Sequence, residues 1–179
     1  KYIYISKQIV EFLSKISPNV EAYSIDEAFF DLSHIKGINY SDVAYMVKSW
    51  IKERFGITCS IGVGISKLVA KMASGVNKPD GYYFVKEEDS IKFLDEFRLS
   101  DIWGIGERMQ RRFYSQGITS LRDIRRLGVE EMVRRFGKRG IFYYEMAFGR
   151  YTQIVSEEPP VKSVGHSMTL PMDIFSMEK

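Results

Sequence analysis

Cysteine is nearly absent from this 179-residue chain: Cys59 stands alone. No internal disulfide can form, and no metal site built from several cysteines is available. Its apolar surroundings read Cys59 as a small buried hydrophobe rather than a reactive thiol. Histidine is almost as scarce, and His34 and His166 have no ligand companions in the sequence, so both read as structural. No apolar run approaches the ~20 residues that span a bilayer, and no signal-peptide pattern opens the chain. The expectation is a cytoplasmic protein with no membrane partner. Internal repeats and low-complexity tracts are missing too.

What is present suits a globular chain: 45% hydrophobic and 27% charged residues, enough for a sizeable core. The net charge is only +3, but it is unevenly spread. Residues 97–150 hold 12 Lys/Arg against 6 Asp/Glu; residues 1–96 hold 12 against 13, and residues 151–179 hold 2 against 4. All the surplus positive charge therefore lies in one block, the pattern of a polyanion-binding face. A solvated basic surface gives the same count.

Ile3, Ile5, Ile9, Phe12, Leu13 and Ile16 recur mostly at helical spacing until Ser17-Pro18-Asn19 ends the run. Residues 20–24 and 28–32 read as the strands of a hairpin around Ile25-Asp26-Glu27. From Ser41, the positions Val43, Met46, Val47, Trp50 and Ile51 mark one face of a helix stopped by Gly56. Strict alternation of Ile57, Cys59, Ile61 and Val63 predicts a strand. A helix begins at Ser66, with Leu68, Val69 and Met72 inward and Lys67 and Lys71 on another face. Asp80-Gly81 then turns the chain into a short strand over 82–85. After Glu96 the pattern is one of short helices broken by Gly104, Gly106, Gly117, Gly128, Gly137 and Gly140. Residues 151–163, with Pro159-Pro160, read as an extended linker. The expected division is 1–96, 97–150 and 151–179. The opening at Lys1 inside a helical pattern, and the stop just after residues 164–170 begin a strand-like run, suggest a segment of a longer protein.

Adjacent carboxylates such as Asp26 and Glu27 can converge on one ion at a hairpin tip, whereas flat strand geometry sends successive side chains to opposite faces. Hard cations such as Mg²⁺ take oxygen ligands of this kind and bridge substrate phosphates in phosphoryl transfer. A solvated acidic turn is the plainer alternative. Lys78, in Asn77-Lys78-Pro79-Asp80-Gly81, can act as a point charge for phosphate or simply be an exposed turn lysine. Gly62 and Gly64 in a strand allow close backbone packing.

In Ile102-Trp103-Gly104-Ile105-Gly106, glycines let backbone amides approach a phosphate, and the next helix presents its N-terminus to the anion. Arg108, Arg111 and Arg112 add charge nearby, although three side chains on one helix cannot all face one groove. Contacts of this type read phosphates rather than bases; an ordinary helical hairpin with a glycine turn is the alternative. Arg134, Arg135, Lys138 and Arg139 form a second basic turn, either a backbone contact or a soluble face. Tyr143, Tyr144 and Phe148 read as core residues rather than base-stacking platforms.

Taken in order, these motifs resemble those of the Y-family (translesion) DNA polymerases. Residues 23–33, with the core Ser24-Ile25-Asp26-Glu27-Ala28, resemble the family's second catalytic motif. That implies that Asp26 binds catalytic Mg²⁺ and that Glu27 supports the metal site and the primer end. Residues 58–67, Lys71 to Ser74 and the turn at 77–81 resemble the family's palm strand, its next helix and a lysine turn, so Lys78 would contact the triphosphate of the incoming dNTP. Residues 102–106, with Met109, Phe113, Gly117 to Leu121 and Ile124 beyond them, resemble the helix-hairpin-helix of the thumb. That implies a DNA-backbone grip by Gly104, Gly106, Arg108, Arg111 and Arg112. Residues 162–171 resemble the entry into the little finger.

The resemblance runs from residue 19 to about 171 and implies an α/β (α+β) fold. An incomplete mixed-sheet palm with flanking helices would precede a small all-helical thumb. The implied activity is primer extension past damaged template bases, with primer–template DNA and dNTP as partners and a sliding clamp bound through regions outside this chain. The family's first catalytic Asp and its fingers lie upstream of the matching region, so the chain alone is expected not to polymerise. Two rivals remain. A non-catalytic DNA-binding relative is opposed by the presence of Asp26 and Glu27. A nucleotide cyclase, whose palm also presents acids on a hairpin tip, is separated by duplex DNA binding.

Overall fold

Helix α1, Tyr2–Leu13, lies against α2, Tyr40–Phe55, through Phe12 and Trp50, whose rings stack 4.0 Å apart. The structure is a computed structural model and describes residues 1–150 together with Val155 and Gly165. The expected linker over 151–163, the strand-like run beyond it and His166 lie outside the described residues. Helix α2 begins where the Asn39 side chain accepts a hydrogen bond from the Ser41 amide at 3.1 Å. It ends at Gly56, whose φ of 68° is the left-handed conformation that closes a helix. Its buried stripe is Ala44, Val47 and Ile51. The apolar spacing puts Met46 on that stripe as well, but it is 46% exposed, because it sits about 100° around the helix from Val47.

Strands β1, Val20–Ala22, and β2, Ala28–Phe30, pair antiparallel, with Glu21 opposite Phe29. Strand β3, Ile61–Val63, pairs parallel with β4, Tyr82–Phe84, and helix α3, Lys67–Val76, crosses between them. β3 is shorter than the alternation from Ile57 predicts. Its partner offers only three residues, and Ile57 is left exposed. Helix α3 starts at Ser66, whose hydroxyl accepts from the Val69 amide. It lies directly on β3, since a methyl group at Gly62 would collide with the Ala70 carbonyl and the Ser74 amide.

The two ladders, one antiparallel and one parallel, form two small two-stranded sheets within the expected mixed α/β fold. The free edge of β2 faces β3 across a cleft of about 950 Å³, lined by Phe29, Phe30, Ile61, Val63 and Lys67 among others.

Beyond β4 the described chain is helical. A 3-10 turn at Glu87–Asp89 leads into α4, Ser90–Leu94, which the sequence pattern does not separate from its surroundings. Its signal is there: three acids, Glu87 to Asp89, immediately ahead of the helix start at Ser90. Helices α5, Glu107–Ser115, α6, Leu121–Phe136, and α7, Arg139–Ala147, come next. α6 opens on a capping box in which Ser120 and Asp123 satisfy each other's backbone amides. It kinks at Gly128, where φ is 81°. Gly140, a helix breaker in the sequence pattern, lies inside α7. A side chain there would run into the Met132 carbonyl, so glycine lets α6 and α7 cross backbone to backbone.

One apolar core runs from α3 through these helices. Leu68, Val69 and Ala73 from α3 pack with Phe93 and Leu94, and onward with Leu99, Ile102, Phe113, Ile124, Met132, Tyr143 and Met146. Each of the larger aliphatic members, fully buried, contributes roughly 1.5–3 kcal/mol. Asp95 reinforces the junction: its carboxylate accepts from Arg125 at 2.6 Å, and Arg125 also donates to the Ala147 carbonyl. Tyr143 is a core residue, as expected, edge-on to both Phe113 and Phe136.

Candidate active site and nucleic-acid interface

The β1–β2 turn is closed by two backbone bonds, as the amides of Tyr23 and Ser24 both donate to the Glu27 carbonyl. This leaves Asp26 at the exposed tip and Glu27 half-buried beside it. The Ser24 hydroxyl donates to Asp26 Oδ1 at 2.6 Å. That bond first, helped by a backbone hydrogen bond and the charges of Lys71 and Lys78, holds the Asp26 carboxyl below its ordinary range against the opposing effect of desolvation. Asp26 is therefore an ionised oxygen donor at neutral pH.

Helix α3 supplies two cations to the hairpin. Lys71 forms an ion pair with Glu27, and Lys67 reaches both carboxylate oxygens of Glu21 at 2.6 Å while its ammonium lies 5.1 Å from the centre of the Phe29 ring. The sequence pattern sets these lysines on a face of their own without assigning them a target. Their i,i+4 spacing, matched by the acids Glu21 and Glu27 on either side of the hairpin tip, is the signal available. Lys78 is exposed on the turn after α3, near enough for its charge to be felt at Asp26. The structure thus brings Asp26, Glu27, Lys71 and Lys78 to one side of the molecule. Among the described residues no group of three or more His, Cys, Asp or Glu gathers in metal-binding fashion, so the hairpin offers a cation two carboxylates, one already engaged by Lys71.

Trp103 joins this hairpin to the helical part. Its indole packs against Tyr23, centroids 5.3 Å apart, and against Phe29 at 5.8 Å. Residues 95–106 run as turns, so the hairpin at Ile102 to Gly106 has a full helix only on its far side, α5. Gly104 has φ of 93°, and a Cβ built there would lie 3.1 Å from the Met146 methyl. Gly106 is different. It caps α5 without a side-chain bond, and a Cβ there would meet nothing within 4 Å. The protein's own packing does not require a glycine at that position.

The three arginines of α5 separate. Arg108 is exposed, with no hydrogen-bond or ionic partner among the described residues. Arg111, also exposed, pairs with Glu107 at 3.1 Å. Arg112 turns back onto the fold, donating to the Arg135 carbonyl at 2.9 Å with its guanidinium over Phe136. In the second basic turn, Arg134 and Arg135 both engage Glu131, which leaves Lys138 and Arg139 as its outward charges. Cys59 sits part-buried beside the smaller core, and burial pushes its thiol pKa up. His34 is exposed.

Residues 1–75 match the impB/mucB/samB family. The DNA polymerase IV of Desulfatibacillum aliphaticivorans is 32% identical over 181 residues, taking in 100% of this chain and 46% of that protein. Among solved structures, a Y-family DNA polymerase chimera of Dbh and Dpo4 superposes with a TM-score of 0.78 at 30% identity, covering 88% of this chain and 47% of that one. Over the length they share, the chain is similar in sequence and fold to Y-family DNA polymerases. A second Y-family structure, an insertion ternary complex of Dbh DNA polymerase, superposes with a TM-score of 0.75 at 30% identity, over 86% of this chain and 46% of that one. The chain spans about half the length of the relatives it matches. Among the described residues, no helix is long and apolar enough to cross a membrane.

Proposed function

We propose that this chain forms one side of the reaction centre of a translesion DNA polymerase and a backbone grip on the primer–template duplex. The observation that carries this reading is the convergence of Asp26 and Glu27 with Lys71 and Lys78 beside a hairpin that Trp103 ties to the basic helical part. Residues 1–96 act as palm and 97–150 as thumb, with 151–179 leading towards a further DNA-contacting domain.

Asp26 and Glu27 fit a divalent cation of the Mg²⁺ type in donor chemistry, being hard oxygen ligands at an exposed tip. Bound there, such an ion supplies positive charge against the substrate phosphates. Asp26, kept ionised by Ser24, is the principal ligand. Glu27, steered by Lys71, supports the centre from its half-buried position. Lys78 adds a mobile point charge for the triphosphate of a dNTP. On the other side, Gly104, Gly106 and Arg108 meet the sugar–phosphate backbone, with Arg111 beside them. Arg112 contributes by bracing α5 against Phe136. The block of surplus positive charge supports a polyanion partner, and phosphate contacts make that grip sequence-independent.

The test is primer extension by the full-length protein carrying Asp26→Ala. Extension is expected to fall at least ~1000-fold, on the scale of losing a principal catalytic group, with primer–template affinity held within about threefold. Extension at the native rate would sink the assignment.

A further inference from the structure

The turn that carries Lys78 is tied to the rest of the fold at three points. The Asn77 side-chain amide donates to the Tyr82 carbonyl at 3.0 Å, and the Gly81 amide donates to the Ser60 hydroxyl at 3.1 Å. The third tie comes from a different helix. Lys48, on α2, sends its ammonium into the gap between α2 and the turn, donates to the Cys59 carbonyl at 2.7 Å, and forms an ion pair with Asp80. Its side chain is only 13% exposed, so it is a built contact and not a surface lysine passing an acid.

Asp80 gains from such a tie. Its φ of 54° lies in the left-handed region that side-chain-bearing residues seldom adopt, and a hydrogen-bonded carboxylate helps an aspartate hold it. Lys48 supplies that bond, which holds the Asp80 carboxyl below its ordinary range. Fixing Asp80 fixes the backbone two residues away, at Lys78. A lysine reaches phosphate through a flexible four-carbon stem, so where it can deliver its charge depends on where its backbone is anchored.

We infer that Lys48 is a positioning residue for nucleotide binding: through Asp80 it holds the turn so that Lys78 faces the Asp26 hairpin. This rests on the proposed role of Lys78 at the triphosphate. Lys48 touches no substrate and acts only through the turn. Its loss therefore weakens nucleotide binding in the ground state and the transition state alike, which raises KM and spares kcat.

Single-nucleotide incorporation by the full-length protein tests this with five variants. Lys48→Met and Asp80→Asn are each expected to raise KM for dNTP about tenfold, the scale of one lost charge-assisted hydrogen bond. In both, kcat should stay within about twofold and duplex affinity should be unchanged. The double variant should be no worse than either single one, and Lys48→Arg should recover most of the loss. Lys78→Ala is the reference. If it raises KM while Lys48→Met and Asp80→Asn do not, the role of Lys48 is overturned and the polymerase reading stands. If Lys78→Ala itself leaves KM unchanged, the triphosphate role of Lys78 falls and this inference falls with it. A parallel loss of kcat, duplex affinity and melting temperature in Asp80→Asn would show a general folding defect and overturn the positioning role. Asp80 is on the surface side of the pair, so Asp80→Asn carries the test should Lys48→Met fail to fold.

Discussion

The indole of Trp103 meets the ring of Tyr23 edge-on, at 5.3 Å between centroids and an interplanar angle of 79°. The contact sets the glycine hairpin against the strand that leads to Asp26. Aromatic pairs in this geometry add about 0.5–1.5 kcal/mol beyond their buried area. Trp103→Ala is expected to lower the unfolding free energy by roughly 2–3 kcal/mol, less than for a fully buried tryptophan because the ring is half-buried. Trp103→Phe should keep more than half of that. Urea denaturation of the three proteins measures it, and an unchanged midpoint for Trp103→Ala would show that the contact carries no weight.

Gly106→Asp tests the grip on duplex DNA. The site has room for a side chain, so the variant should fold normally while placing a negative charge where a phosphate would sit. Fluorescence anisotropy with labelled primer–template should show steeply salt-dependent binding by the native chain and at least ~10-fold weaker binding by the variant at low salt. Equal affinities would remove Gly106 from the interface. Binding by neither protein would leave the grip dependent on other domains.

Glu131 gives a pH signature. Hydrogen bonds from Arg134 and then Arg135 lower its pKa to about 2 from an ordinary 4.5. A carboxylate whose folded pKa is depressed stabilises the fold above its unfolded pKa and loses that contribution as pH falls towards the folded value. The difference in melting temperature between the native chain and Glu131→Gln should therefore be full at neutral pH and close between about pH 4.5 and 2. Added salt should shrink it, since the Arg134 side of the cluster is exposed. A difference that persists below pH 2 would assign the effect to something other than this charge.

Gly62→Ala should destabilise by about 3 kcal/mol, at the upper end for overpacking, because the added methyl meets backbone atoms that cannot rotate away. Thermal melts against Gly75→Ala, where a Cβ meets nothing within 4 Å, give the control. Similar melting temperatures for the two variants would contradict the close approach of α3 to β3.

What the sequence discloses divides by range. The helix start at Ser66 and the stop at Gly56 are legible because each device is complete within about four residues. The hairpin acids and the Lys78 turn are legible as motifs. The cations that steer them are not: Lys71 lies 44 residues from Glu27, and Lys48 lies 32 from Asp80. Those pairs exist only once α3 lies on β3 and α2 lies alongside the turn, and local spacing carries no record of either packing. Met46 and Ile57 escape the pattern for a related reason, since a periodic apolar position is buried only where a neighbouring element covers it.

The apolar core that passes from Leu68 and Val69 through Leu94 to Met146 takes no account of residue 96. The residues before and after that point therefore share one apolar interior. Cutting the chain between them would not release two modules; it would wet the same set of side chains from both directions. A displacement of the helices after residue 96 is felt at α3, the helix whose lysines hold the acids of the hairpin.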